Sequence, residues 1–206
     1  MTTVGATMKI ICERAIRFSG HFSMVALVAS STLIGSAAAA RDAAFIQSVS
    51  ASPPPSGARQ LCHQYTWACA HKGAASLSSA QAMKLVKQIN RRVNASTREI
   101  TDQSQYKTRE MWALPTTRGG DCEDFALLKK RDLIKAGIDP RKLLLATVLD
   151  TRRNSHAVLV YRSNQGDLVL DNLTNQVKPW SATRYLFLRM QDPKQPRNWV
   201  GVYGQS

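Results

Sequence analysis

Three side chains in this sequence have the types that nucleophilic acyl chemistry needs: Cys122, His156 and Asp171. A thiolate attacks an acyl carbon, an imidazole holds the thiol proton and later gives it to the leaving amine, and a carboxylate fixes the ring's tautomer and orientation. Cys122 lies in Gly119-Gly120-Asp121-Cys122-Glu123-Asp124. The two glycines free the backbone for a tight turn, Asp121 is placed to cap a following helix, and Cys122 falls in that helix's first turn. A thiol there feels the positive end of the helix dipole and nearby backbone donors, which favour the thiolate. Taken singly, each residue has a plain structural reading: a small buried cysteine, a strand histidine, and a turn acid before Asn172. Taken together, they point to thiol catalysis.

The cysteine count strengthens that reading. Lys9, Arg14 and Arg17 stand against Glu13 in residues 1–20, residues 22–40 carry no charge, and Ala38-Ala39-Ala40 suits cleavage before Arg41. This is the pattern of an export signal over residues 1–40. An uncleaved membrane anchor competes with it, but the many Ala, Ser and Gly residues weaken the run as a stable span. The expected location is therefore periplasmic or secreted, without stable membrane insertion after cleavage. Cys12 would leave with the signal. Cys62 and Cys69 could close a small loop in an oxidising compartment, leaving Cys122 as the odd thiol. Zinc is the competing reading, because His63 and His71 lie beside these cysteines, although the spacing lacks the usual CxxC pairs. Losing Lys9, Arg14, Arg17 and Glu13 would lower the net charge from +14 to +12. Such a charge can attract nucleic acid, anionic lipid or an acidic protein. Export and the scattered placement of the basic residues argue against nucleic acid and for a solvated basic surface.

The elements that must position the three residues follow from pattern. Residues 41–59, with Ser52-Pro53-Pro54-Pro55-Ser56-Gly57, read as a flexible lead, and one domain spans 60–206. From Ser79, the positions Ala82, Met83, Leu85, Val86, Ile89 and Val93 recur at helical spacing. Residues 101–114 are less periodic, and Trp112 is either core or cleft lining. A nucleophile helix runs from Asp121 to about Ala136, closed by Gly137 and Pro140. Cys122, Phe125, Ala126, Leu133 and Ala136 share its inner sector, and so does Lys129, which must reach past its neighbours or pair with an acid. Strands follow at 143–149, 156–161, 168–170, 185–188 and 199–203, the first three as an antiparallel meander. With a two-residue loop at Ser163-Asn164, His156 and Asp171 are directly opposed; with a four-residue loop they are diagonal neighbours on one face. Either arrangement allows an imidazole–carboxylate hydrogen bond.

The blocks Cys62 to Cys69, Trp112-Ala113-Leu114-Pro115, Gly119 to Asp124 with Lys129, His156-Ala157-Val158-Leu159 and Leu170-Asp171-Asn172 occur in this order. Together they resemble the bacterial transglutaminase-like cysteine proteinases, which include the LapG-type periplasmic proteases. The resemblance implies a papain-like α+β fold, with N-terminal helices and the nucleophile's helix packed on an antiparallel sheet. It also implies a Cys-His-Asp triad at Cys122, His156 and Asp171. LapG-type members look calcium-dependent, which by resemblance assigns metal binding to Asp121, Glu123 and Asp124; three acids at a helix start could equally serve the dipole and the cap. Such members cut surface adhesins and are held back by an inner-membrane receptor. The chain carries Asn154-Ser155 where relatives often have a glycine before the histidine. The implied activity is exported thiol endopeptidase action on protein. Transglutaminase-type acyl transfer and an inactive protein-binding module remain the alternatives.

Overall fold

Local signals start the first long helix. Ser78 Oγ accepts the Gln81 N–H at 3.3 Å and Gln81 Oε1 accepts the Ser78 N–H at 2.9 Å, a reciprocal cap. In the computed structural model, which describes residues 44–73 and 77–205, this helix is α2 (Ser79–Ser96), preceded by a short α1 (Leu61–Gln64). The export signal expected over residues 1–40, with Cys12, lies outside the described residues. Ala82, Val86, Ile89 and Val93 are buried along one face of α2, as their spacing requires. Next come a single-turn helix, α3 (Asp102–Tyr106), and the nucleophile helix, α4 (Cys122–Lys135). Among the described residues no helix is long and apolar enough to cross a membrane.

Seven strands form one antiparallel sheet: β1 (Ser50–Ser52), β2 (Leu143–Leu149), β3 (Ser155–Arg162), β4 (Asp167–Leu170), β5 (Lys178–Pro179), β6 (Leu186–Gln191) and β7 (Trp199–Gln205). Their spatial order is β1-β7-β6-β2-β3-β4-β5, so the expected meander β2-β3-β4 forms the centre and one flank. β2 reads Leu-Leu-Leu-Ala-Thr-Val-Leu because both of its faces are covered. Leu143 and Leu145 pack with Ala157, Leu159, Phe125 and Leu133 on the helix side. Leu144, Ala146 and Val148 pack with Val158, Val160 and Phe187 on the other. α4 packs against both β3 and α2. That position buries it over a wider arc than one apolar stripe and takes in Lys129 and Lys130.

Two expectations change. The lead read as flexible is structured from Ile46 onward: β1 pairs with β7, Val49 N–H reaches Gly201 O at 2.8 Å, and Ile46 is buried with its N–H on Asp167 Oδ2 at 2.9 Å. The cause is backbone pairing at a sheet edge, where a following run of prolines is tolerated because the missing N–H groups need no partner. The zinc alternative also falls. Cys62 and Cys69 are joined by a disulfide with Cα atoms 5.4 Å apart, which leaves no thiolate pair, and His63 and His71 point to solvent.

Candidate active site

The double glycine is used for close approach. Gly119 has φ +124°, and a Cβ there would lie 2.0 Å from Arg98 O. A Cβ on Gly120 would lie 2.4 Å from Asp124 Oδ2. Freed of side chains, the segment is stitched to the chain that leaves α2, with Gly120 N–H on Arg98 O at 3.1 Å and Ile100 N–H on Gly120 O at 3.0 Å. This stitching carries Asp121 to the start of α3. There its Oδ2 accepts the Asp102 N–H at 3.0 Å, so the side chain does not cap α4 as its position suggested; only its backbone oxygen enters the helix, accepting the Phe125 N–H.

Cys122 is the first residue of α4 and the one free cysteine among the described residues. Its sulfur donates to Glu123 Oε2 at 3.1 Å and takes a hydrogen bond from the backbone of Ala157, the residue after His156. The protein groups around the sulfur, taken by themselves, oppose the expected thiolate preference. Burial pushes the thiol well above its ordinary range, the Glu123 carboxylate pushes it further, and the Ala157 bond only partly opposes them. A helix dipole is equivalent to about half a charge and falls off within a turn, so adjacent full charges overrule it.

His156 is buried on β3, and its Nε2 lies 2.9 Å from Asp171 Oδ1. The register Leu159↔Leu170 with a loop over 163–166 is the four-residue alternative, which makes the two residues diagonal neighbours on one face. Asp171 also accepts the Leu173 N–H at 3.0 Å on Oδ1 and the Tyr185 hydroxyl at 2.6 Å on Oδ2. Burial pushes this carboxyl up, but the bonds from His156, Tyr185 and Leu173 outweigh it and hold it below its ordinary range. Asp171 is thus a carboxylate, which makes Nε2 the protonated nitrogen and leaves Nδ1 outside that bond. Cys122 and His156 line one cavity of about 850 Å³.

The acids divide unexpectedly. Carboxylate oxygens of Asp102, Asp121 and Glu123 all lie within 4.8 Å of one another. Asp102 Oδ1 and Asp121 Oδ1 are buried and accept no hydrogen bond. Burial, then the Asp121 charge, pushes Asp102 up to about 6, and the same two causes raise Glu123. Asp124 stands outside this group. Its Oδ1 accepts the Ala113 N–H at 3.0 Å, anchoring the segment before the double glycine, and burial pushes it up to about 8.

A family model for the bacterial transglutaminase-like cysteine proteinases, BTLCP, matches residues 48–206. The chain belongs to this family. Among solved structures, calcium-bound LapG of Legionella pneumophila is similar at 22% identity over 60% of this chain and 71% of that one, with a TM-score of 0.50. The EGTA-treated form of Legionella pneumophila LapG is 24% identical over 54% of this chain and 63% of its own, with a TM-score of 0.47. At such identities the likeness is one of fold, here a LapG-like mixture of helices and an antiparallel sheet. No curated protein matches the chain.

As a member of this family the protein is a cysteine peptidase; two residues around its site, Asp102 and Tyr185, escaped the motif reading, and Lys129, which belonged to it, meets neither of its two expected fates. Asp102 follows Thr101 in a weakly periodic stretch, and only the approach of Arg98 and Glu99 to Gly120 brings it to Asp121. Tyr185, read as part of an apolar strand, stands edge-on to His156 at 5.9 Å while bonding Asp171. Lys129 neither reaches solvent nor forms a hydrogen bond: its ammonium is fully buried, 5.8 Å from the Phe125 ring. Burial lowers it to about 7, with the charge of Asp171 acting in the opposite direction. Trp112 is core, 2% exposed and edge-on to Trp199 at 5.7 Å.

Proposed function

We propose that the protein is an exported thiol endopeptidase in which Cys122, His156 and Asp171 form the catalytic triad. One observation carries this reading: a histidine bonded to a buried carboxylate at 2.9 Å shares a cavity with the one free thiol among the described residues. His156 Nδ1 takes the Cys122 proton as sulfur attacks the peptide carbonyl, and the imidazolium then protonates the departing amine. A water, deprotonated by the same nitrogen, hydrolyses the thioester and restores the thiol. Asp171, held from two sides by Tyr185 and Leu173, keeps the ring in the required tautomer and stabilises its charged form.

We further propose that Asp102, Asp121 and Glu123 hold calcium. The support is chemical: three hard oxygen donors converge, two of their oxygens lack partners, and burial with mutual repulsion makes their joint ionisation costly without a cation. The calcium-bound state of Legionella pneumophila LapG agrees with this. The ligand set implied by the family resemblance keeps Asp121 and Glu123 but exchanges Asp124 for Asp102. Bound there, calcium supplies positive charge that offsets the carboxylates beside the Cys122 sulfur.

The finer reading takes a surface adhesin as the protein substrate and an inner-membrane receptor as the regulator, supported by the export pattern of residues 1–40 and the family resemblance. The test is to incubate exported and surface proteins with the purified domain and with Cys122→Ala, then weigh the products. Two fragments formed only by the wild type support hydrolysis. A heavier cross-linked species indicates acyl transfer, and no product with an unreactive Cys122 indicates a binding module.

A further inference from the structure

Asp171 lies just beyond the last ladder residue of β4, Leu170, so the sheet's own hydrogen bonds do not hold it. It begins an irregular segment, residues 171–177, that leads to β5. Two asparagines one turn apart on α2 grip that segment. Asn94 Nδ2 donates to Asp171 O at 2.9 Å, to Thr174 O at 3.1 Å and to Asn175 Oδ1 at 3.1 Å. Asn90, fully buried, donates from Nδ2 to Thr174 O and Asn175 O, both at 3.3 Å. Backbone carbonyls only accept, so the amide nitrogens must face the segment. The consequence is that Oδ1 of both asparagines is buried with no hydrogen-bond partner. An orphaned buried acceptor costs stability, and it is tolerated here because apolar residues in these places would leave the carbonyls of Asp171, Thr174 and Asn175 without these donors. Helix packing therefore does not account for the pair, whereas holding the main chain of Asp171 does.

We propose that Asn94, backed by Asn90, is a positioning residue: it fixes the backbone of Asp171 and thereby sets the orientation of the Asp171–His156 pair. This rests on the triad reading given above. The grip acts on the carbonyl of Asp171, while Tyr185 and the Leu173 N–H act on its carboxylate, so main chain and side chain are held independently. Without Asn94 the carboxylate keeps its partners but loses its fixed origin. Triad chemistry is sensitive to displacements of about 1 Å, which lower rates by about 100-fold.

The experiment compares the wild type with Asn94→Leu, and with Asn164→Ala as a control that breaks a different contact to α2, from Asn164 Nδ2 to Ser79 Oγ at 3.1 Å. Two readouts are taken in calcium-containing buffer: the far-downfield proton resonance of His156 Nε2–H, and steady-state hydrolysis of p-nitrophenyl acetate. In Asn94→Leu the resonance should shift or broaden, and kcat should fall about 10- to 100-fold with KM within about twofold. Asn164→Ala should leave both unchanged. A folded Asn94→Leu with wild-type resonance and kcat overturns the proposal, and so does an equal loss in Asn164→Ala, which would mean general loosening. If Asn94→Leu does not fold, Asn94→Asp decides on the same readouts, since it keeps the shape and removes the donors. Absence of ester turnover in the wild type sinks the triad reading instead, and the positioning role is then judged on the resonance alone.

Discussion

Replacing Lys129 by Met should stabilise this protein, and the gain should shrink as pH rises. The ammonium is fully buried on α4 and makes no hydrogen bond, and burial brings it from 10.5 to about 7. Between those two values the unfolded chain holds a proton that the folded chain has lost, so stability climbs with pH across that window and the full penalty applies below it. A difference of about 3.5, at about 1.4 kcal/mol each, amounts to about 5 kcal/mol in acid, about 4 at pH 7 and about 1 at pH 9.5. Met has nearly the same volume and no charge, so packing changes little. Urea unfolding of both proteins at pH 7 and pH 9.5 measures the difference. Lys130, equally buried and bonded to Gln191 Oε1 at 2.6 Å, titrates in both proteins and cancels. A gain that stays constant with pH, or a loss at both pH values, would refute the reasoning and mean that Lys129 stays charged through an ion pair.

Three further outcomes are expected. Asp171→Asn should fold but lower turnover by up to about four orders of magnitude, the scale of comparable triads, when measured on any substrate the wild type cleaves. Chelation should abolish activity and added calcium restore it, magnesium should substitute poorly, and Asp102→Asn should raise the calcium needed by about tenfold or more, all read by isothermal titration and by cleavage. Reducing the Cys62–Cys69 bridge should cost about 2 to 3 kcal/mol in urea unfolding, and thiol counting on native protein without residues 1–40 should find Cys122 alone.

Most of what positions the triad was legible because it is local. The helical spacing of Val86, Ile89 and Val93 and the alternation that fixes which strand positions share a face both act within a few residues. The fifteen-residue separation of His156 and Asp171 restricted the hairpin to two registers, and the turn over 163–166 chose one. What stayed hidden depends on encounters between distant segments. β1 carries no side-chain pattern because its partner is the backbone of β7. Asp102 reaches Asp121 only through the stitching of Arg98 to Gly120, and Asp124, although within the motif, turns away toward Ala113. The charge beside Cys122 stayed hidden for the same reason: position within α4 shows the dipole and the inward face but not the direction in which Glu123 points.

Those hidden contacts join two sites at one peptide unit. Cys122 belongs to the thiol chemistry and Glu123 to the acid cluster, yet their side chains touch at 3.1 Å. At that separation inside protein, a unit charge interacts with its neighbour by about 5 kcal/mol at an effective dielectric of about 20. Any change in the net charge of Asp102, Asp121 and Glu123 is therefore felt by the sulfur before it is felt by His156 or Asp171, which stand on a different element and keep their own hydrogen bonds. Cation loading of the cluster should accordingly alter the pH dependence of Cys122 alkylation by iodoacetamide while leaving the His156–Asp171 proton resonance in place. Movement of both together would mean that the two sites are one mechanical unit rather than two sites coupled through charge.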